Sequence, residues 1–176
     1  MNKTAIKNFA IWARVQLIEA AKQRAYEYEI TENGENKSGL DMVGGRLLTK
    51  AEKEQRSQLI SEINRKGYSQ VMEEAAYTWF NRFIALRYME VHNLLPIDVR
   101  IIPEKAGDLP QVVREAQNVT IDGIDFSAVL KLLDENKSDE LYKDLVIAFC
   151  NNLSAWLPQM FEKINDYTEL LFPDES

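Results

Sequence analysis

Ala76-Tyr77-Thr78-Trp79-Phe80-Asn81-Arg82-Phe83-Ile84-Ala85-Leu86-Arg87-Tyr88-Met89-Glu90-Val91-His92-Asn93-Leu94-Leu95-Pro96 decides the fold class. Taken as a helix, this run is apolar nearly all the way round, and a helix of that kind belongs in the middle of a packed bundle. Pro96 prevents its continuation, because proline lacks the amide hydrogen and clashes with the preceding turn. Asn81, Arg82, Arg87 and Glu90 interrupt the apolar surface. A charge placed there must be paired, or must reach water or a ligand. Arg87 and Glu90 are three residues apart and can pair along the helix. Arg82 can meet Glu74 only obliquely along the same helix, and otherwise reaches a carboxylate from another helix. Arg82, Arg87 and Glu90 are therefore candidate structural ion pairs, with an arginine that emerges to touch phosphate or a protein partner as the alternative.

Outward from this run the periodicity stays helical. Ile6, Phe9, Ala10, Ala13, Leu17, Ala20 and Ala21 recur at spacings of three and four and predict a long amphipathic helix from Lys3 to about Tyr28, with Lys3, Lys7 and Arg14 on another face. Glycines and asparagines then predict a mobile loop over about 31–48. Thr49-Lys50-Ala51-Glu52 is a capping box, opening a polar helix that stops at Gly67. The helix of the central run starts near Gln70. Ile97–Ile102 and Val119–Ile121 read as short extended segments. Further helices are expected from Asp108 to about Gln117, around Phe126–Leu133, from a Ser138 cap to Pro158, and from Gln159 to Tyr167. The last-but-one should carry Leu141, Leu145, Ala148, Phe149, Leu153 and Trp156 on one face. The expected architecture is mainly α: one domain over 1–176, a bundle of six or seven helices with one or two short extended segments.

Composition excludes several classes. The single cysteine, Cys150, permits no internal disulfide, and its apolar neighbours suit a buried reduced thiol in a cytoplasmic protein. No apolar stretch approaches the roughly 18 residues of a membrane span. His92 and Cys150 are the only residues of their types and show no ligand spacing, so no metal is expected. Adjacent carboxylate pairs such as Glu73-Glu74 and Asp139-Glu140 do not face each other on a helix, and no nucleophile has a base at a recognisable spacing. The net charge of −7 is unevenly spread. Residues 1–100 hold 15 Lys and Arg against 13 Asp and Glu, whereas residues 101–176 hold 6 against 15. A nucleic-acid surface, which needs cations for phosphate, therefore falls in the first part. Its candidates are Lys3, Lys7, Arg14, Arg46, Lys50, Lys53 and Arg56. The acidic remainder is either a solvated surface or a docking face for a basic partner.

Four stretches give a more specific reading. They are Asn2 through Arg14, Ala76 through Pro96, Glu140-Leu141-Tyr142-Lys143, and Leu157 through Asp174, the last running Leu-Pro-Gln-Met-Phe-Glu-Lys-Ile-Asn-Asp-Tyr-Thr-Glu-Leu-Leu-Phe-Pro-Asp. In this order they resemble the N-terminal region of the adenine-specific DNA methyltransferases of type 1 BREX phage-defence systems. The resemblance implies a parent enzyme that transfers a methyl group from S-adenosylmethionine to adenine N6 and so marks host DNA. The Asn-Pro-Pro-Tyr motif that holds a flipped base in such enzymes is not in this sequence, nor is a Gly-rich strand–loop for the cofactor. Both are expected in a methyltransferase domain downstream. On this reading the chain binds no cofactor and is a non-catalytic module that supports DNA contact and assembly with the methyltransferase domain and with other defence components. The alternatives are a protein-docking module that never touches DNA, or a stand-alone acidic regulator.

Overall fold

Asn2 opens the first helix by accepting a 3.1 Å hydrogen bond from the Ala5 amide, which satisfies one of the donors a helix start leaves free. The computed structural model describes residues 2–105, 107–164 and 166–173. In chain order it holds α1 (Lys3–Glu27), a hairpin of β1 (Met42–Val43) and β2 (Arg46–Leu47), α2 (Lys50–Lys66), α3 (Tyr68–Val91), α4 (Gln111–Arg114), α5 (Phe126–Asp134) and α6 (Ser138–Leu153). The fold is mainly α, with six helices among the described residues. The chain divides into two compact units: residues up to Phe80 together with the returning segment near the C-terminus, and Asn81–Ile164.

The first unit is built round one apolar cluster. Ala21, Ala25 and Tyr28 from α1 meet Leu59, Ile60 and Ile63 of α2, Val71, Met72 and Ala75 of α3, and Leu170 and Leu171 from the C-terminal segment. Trp79 locks that segment in place. Its ring meets Phe172 edge-on at 4.8 Å, and its Nε1 donates to the Thr168 carbonyl at 3.0 Å. Gln55 Nε2 adds a 2.7 Å bond to Glu169. The Gly44-Gly45 turn has φ of +55° and +79°, the left-handed pair that a two-residue hairpin requires. The segment expected as a mobile loop thus contains the hairpin. It is also tethered: Asn36 exchanges two bonds with Thr31, the Gly44 amide donates to Glu29, and Lys53 reaches Asp41 at 2.5 Å.

In the second unit α4 and α5 pack on α6. Residues Leu145 through Cys150 are buried six in a row, so the middle of α6 is enclosed on all sides, while Asp139, Glu140 and Asp144 nearer its start are exposed. The central run does not have that place. In α3 the buried residues Val71, Met72, Ala75, Ala76, Trp79, Arg82, Ala85 and Leu86 form one stripe, while Tyr77, Ile84, Tyr88 and Val91 are exposed. Aromatic and branched residues on its outer side mimic all-round burial in the sequence.

Four further expectations are corrected. Ile97–Ile102 and Val119–Ile121 are not strands. The amides of Ile101 and Ile102 donate instead to Glu90 Oε1 at 2.6 and 2.8 Å, so a buried carboxylate takes the place of a partner strand. The stretch from Gln159 to Tyr167 has no helix among its described residues, and Asn165 and Asp174 lie outside them. Asn151 accounts for the irregular path: its side-chain amide donates to the Ile164 carbonyl and accepts from the Ile164 amide at 3.1 and 2.7 Å. Lys137 rather than Ser138 occupies the cap position of α6, without a side-chain cap bond, and Trp156 lies exposed beyond its end.

Glu90→Ala leaves two amides of the second unit without an acceptor. A loss of about 2–4 kcal/mol is expected in urea unfolding, from unsatisfied buried donors at about 1–3 kcal/mol each, and Glu90→Gln, which keeps one acceptor oxygen, should recover part of it.

Candidate nucleic-acid interface

The seven cations singled out in the sequence all lie in the first unit, but two of them serve the fold and two more meet carboxylates at the surface. The capping box at the start of α2 is complete: the Glu52 amide donates to Thr49 Oγ1 and the Thr49 amide to Glu52 Oε2. The same carboxylate receives both terminal nitrogens of Arg46 at 3.1 and 2.8 Å and the Tyr28 hydroxyl at 3.0 Å. Partial burial pushes the Glu52 pKa up, but the Arg46, Thr49 and Tyr28 donors outweigh it and bring it to about 2. Burial, then the Glu52 charge, push the Tyr28 phenol up to about 12. Arg46 is therefore half of a bidentate ion pair.

Arg56 leaves the candidate surface altogether. It is 2% exposed. Its Nε donates to the Tyr28 carbonyl at 2.8 Å and its Nη1 to the Lys37 carbonyl at 2.5 Å. Those bonds close the C-terminal end of α1 and the following loop onto α2, and burial lowers the guanidinium pKa. Arg14 reaches Glu73 at 2.8 Å with both groups at the surface, and Lys53 is paired with Asp41. Lys3, Lys7 and Lys50 are exposed. Lys3 and Lys7 stand one turn apart on α1, on the face that also bears Arg14.

In the second unit Arg87 Nη1 lies 3.1 Å from Glu90 Oε2, with the Glu90 side chain 3% exposed. Arg82 is buried and its Nη2 donates to the Glu162 carbonyl at 3.0 Å. Cys150 is a buried free thiol, and burial pushes its pKa up to about 12, the opposite of what a nucleophile needs. His92 sits against the Tyr88 ring at 4.3 Å. Among the described residues no cluster of His, Cys, Asp and Glu is placed to hold a metal ion, and no helix is long and apolar enough to cross a membrane.

Two apolar surfaces lie beside these cations and beyond them. The N-terminal half of α1 exposes Ile6, Phe9, Ile11, Trp12 and Val15. The second unit carries a groove of about 650 Å³ bordered by Tyr88, Met89, Leu94, Trp156, Met160 and Asp122. Apolar spacing in the sequence signals burial, and nothing in it distinguishes a side chain covered by its own chain from one left open.

No family profile matches the chain. It is 33% identical, over an alignment 199 positions long, to the "Adenine-specific methyltransferase PglX" of Lacticaseibacillus casei (strain Zhang), covering 98% of the chain and 16% of that protein. It is 33% identical over 123 residues to the "Adenine-specific methyltransferase BrxX" of Escherichia coli O9:H4 (strain HS), covering 68% of the chain and 10% of that protein. The chain is homologous to one region of the PglX and BrxX adenine-specific methyltransferases. An N-terminal region of such a protein fits the match. The chain spans about a sixth of the length of the first relative and a tenth of the second.

The Glu52 knot gives a pH signature. Folding lowers this carboxyl from 4.5 to about 2, so its contribution is complete above the unfolded value, fades as pH falls below about 4.5, and is gone below about 2. Glu52→Gln should cost about 2 kcal/mol at pH 7, discounted for partial solvent screening, and should flatten the acid limb of stability between pH 5 and 2 in chemical denaturation.

Proposed function

We propose that the chain is a non-catalytic helical module of an S-adenosylmethionine-dependent DNA adenine-N6 methyltransferase acting in a BREX phage-defence system, in the cytoplasm, and that it forms one domain that adds cations to the DNA-facing surface. The observation that carries this reading is the 33% identity that runs across 98% of the chain. The charge distribution supports the DNA contact, with exposed Lys3, Lys7 and Lys50 all in the first unit.

The methyl donor and the methyl transfer fall, on this reading, to the remainder of the parent enzyme. The Gly-rich turn between a strand and a helix that cradles a nucleotide cofactor has no counterpart among the described residues, whose only strands form the Met42–Leu47 hairpin.

A second reading, docking of a protein partner with no DNA contact, has the groove of the second unit in its favour. Its wall is largely apolar, its lining includes Asp122, and the unit that holds it has 13 Asp and Glu against 9 Lys and Arg over residues 81–164.

The two readings part in one titration. In the full-length parent, Lys3→Ala, Lys7→Ala and Lys50→Ala together should reduce the salt slope of DNA binding by about 0.9 for each phosphate that is no longer neutralised. An affinity and slope equal to those of the unsubstituted enzyme would remove DNA from this module and leave protein docking.

A further inference from the structure

The α1 helix is buried along only part of its length. Its C-terminal half supplies Ala21 and Ala25 to the core, whereas Ile11, Trp12 and Val15 are 55%, 59% and 52% exposed. At 3.6 residues per turn, Ala13 and Leu17 form the inward seam of the N-terminal half. Lys3, Lys7 and Arg14 run beside that seam, and Ile11, Trp12 and Val15 occupy the flank beyond the cations. Phe9 joins them, with its ring 6.0 Å from that of Trp12. Large apolar side chains left side by side at half exposure mark a surface that another surface covers.

Three features select the occupant. The first 18 residues contain three cations and no carboxylate, so two copies of this flank face to face bring rows of like charge together. Thr4, Asn8 and Gln16 share the flank and are exposed; such groups suit a hydrogen-bonding protein surface and not acyl chains. The homologous PglX extends over about six times the matched length, and a covalently linked neighbour is present at millimolar effective concentration.

We propose that this flank of α1 seats on the methyltransferase portion of the parent polypeptide and so turns the Lys3–Lys7 row toward the DNA held there. The proposal rests on the function proposed above and gives it a mechanism: apolar contact fixes the helix, and the adjoining cations face phosphate as a consequence.

The test is thiol accessibility in the full-length parent without DNA, in a background whose other reactive cysteines are replaced by serine. Ile11→Cys and Val15→Cys report on the flank. Leu47→Cys, at a position 68% exposed in the same unit, is the reference. Cys150, 0% exposed, stays unlabelled as long as the second unit is folded. The flank cysteines should react with maleimide at least about 10-fold more slowly than the reference, as expected of a covered site that opens only transiently. Equal rates at all three positions overturn the proposal. So does slowing that arises only on adding duplex DNA, or only on adding phosphatidylglycerol vesicles. The salt slope of the lysine variants reads DNA contact separately, so an open flank with a reduced slope removes the docking and keeps the DNA reading.

Discussion

One carboxylate holds the first unit in register. Glu52 accepts from the amide before its own helix, from both terminal nitrogens of Arg46 on the hairpin, and from the hydroxyl at the end of α1. The end of α1, the hairpin and the start of α2 thereby share one charge, across 24 residues in the case of Tyr28. Arg56, a turn along α2, repeats the device with opposite sign by donating to two loop carbonyls. Charge-assisted bonds of this kind are roughly twice as strong as neutral ones, and they fix direction as well as distance. The apolar cluster beneath is non-directional. The hydrogen bonds decide how the loop between α1 and α2 lies on it.

The second unit applies the same solution to a different problem. The chain after α3 passes through several residues with no partner strand, and Glu90 supplies the missing acceptors while pairing with Arg87. Asn151 does the same for Ile164 with both ends of its amide. Irregular backbone in this fold is thus held by single polar side chains anchored on long helices. Such anchors are costly to lose, because a buried amide left alone bears its full desolvation penalty.

Legibility in the sequence follows this division. The capping box, the helix it starts and the long first helix were readable because their signals are local: a side chain bonding three residues away, or an apolar repeat. The Gly44-Gly45 turn was local as well, but the neighbouring glycines of the same stretch read together as a loop and hid it. The Glu90 anchor was half readable. Its pairing with Arg87 follows from spacing alone, whereas its role as acceptor for Ile101 and Ile102 depends on where the chain returns. Arg56 was misplaced on the candidate interface for the same reason. In sequence it is one cation among several near a helix start, and only the approach of the Tyr28 and Lys37 carbonyls makes it a buried strut.

The consequence for function is quantitative. Seven cations suggested an interface, but Arg46 and Arg56 serve the fold, and Arg14 and Lys53 meet carboxylates at the surface. Three lysines with no such partner among the described residues correspond to a salt slope of about −2.7, against about −5 to −9 for a protein that neutralises 6–10 phosphates. The second unit, with its excess of carboxylates, repels a duplex within about 8 Å at physiological ionic strength. A module with this charge distribution does not hold DNA by its own attraction. On the function proposed above, it adds to a surface whose main binding energy comes from elsewhere, and what it adds depends on the angle at which α1 is presented. If the proposed docking sets that angle, the exposed flank of α1, more than the number of its lysines, determines what the module can do.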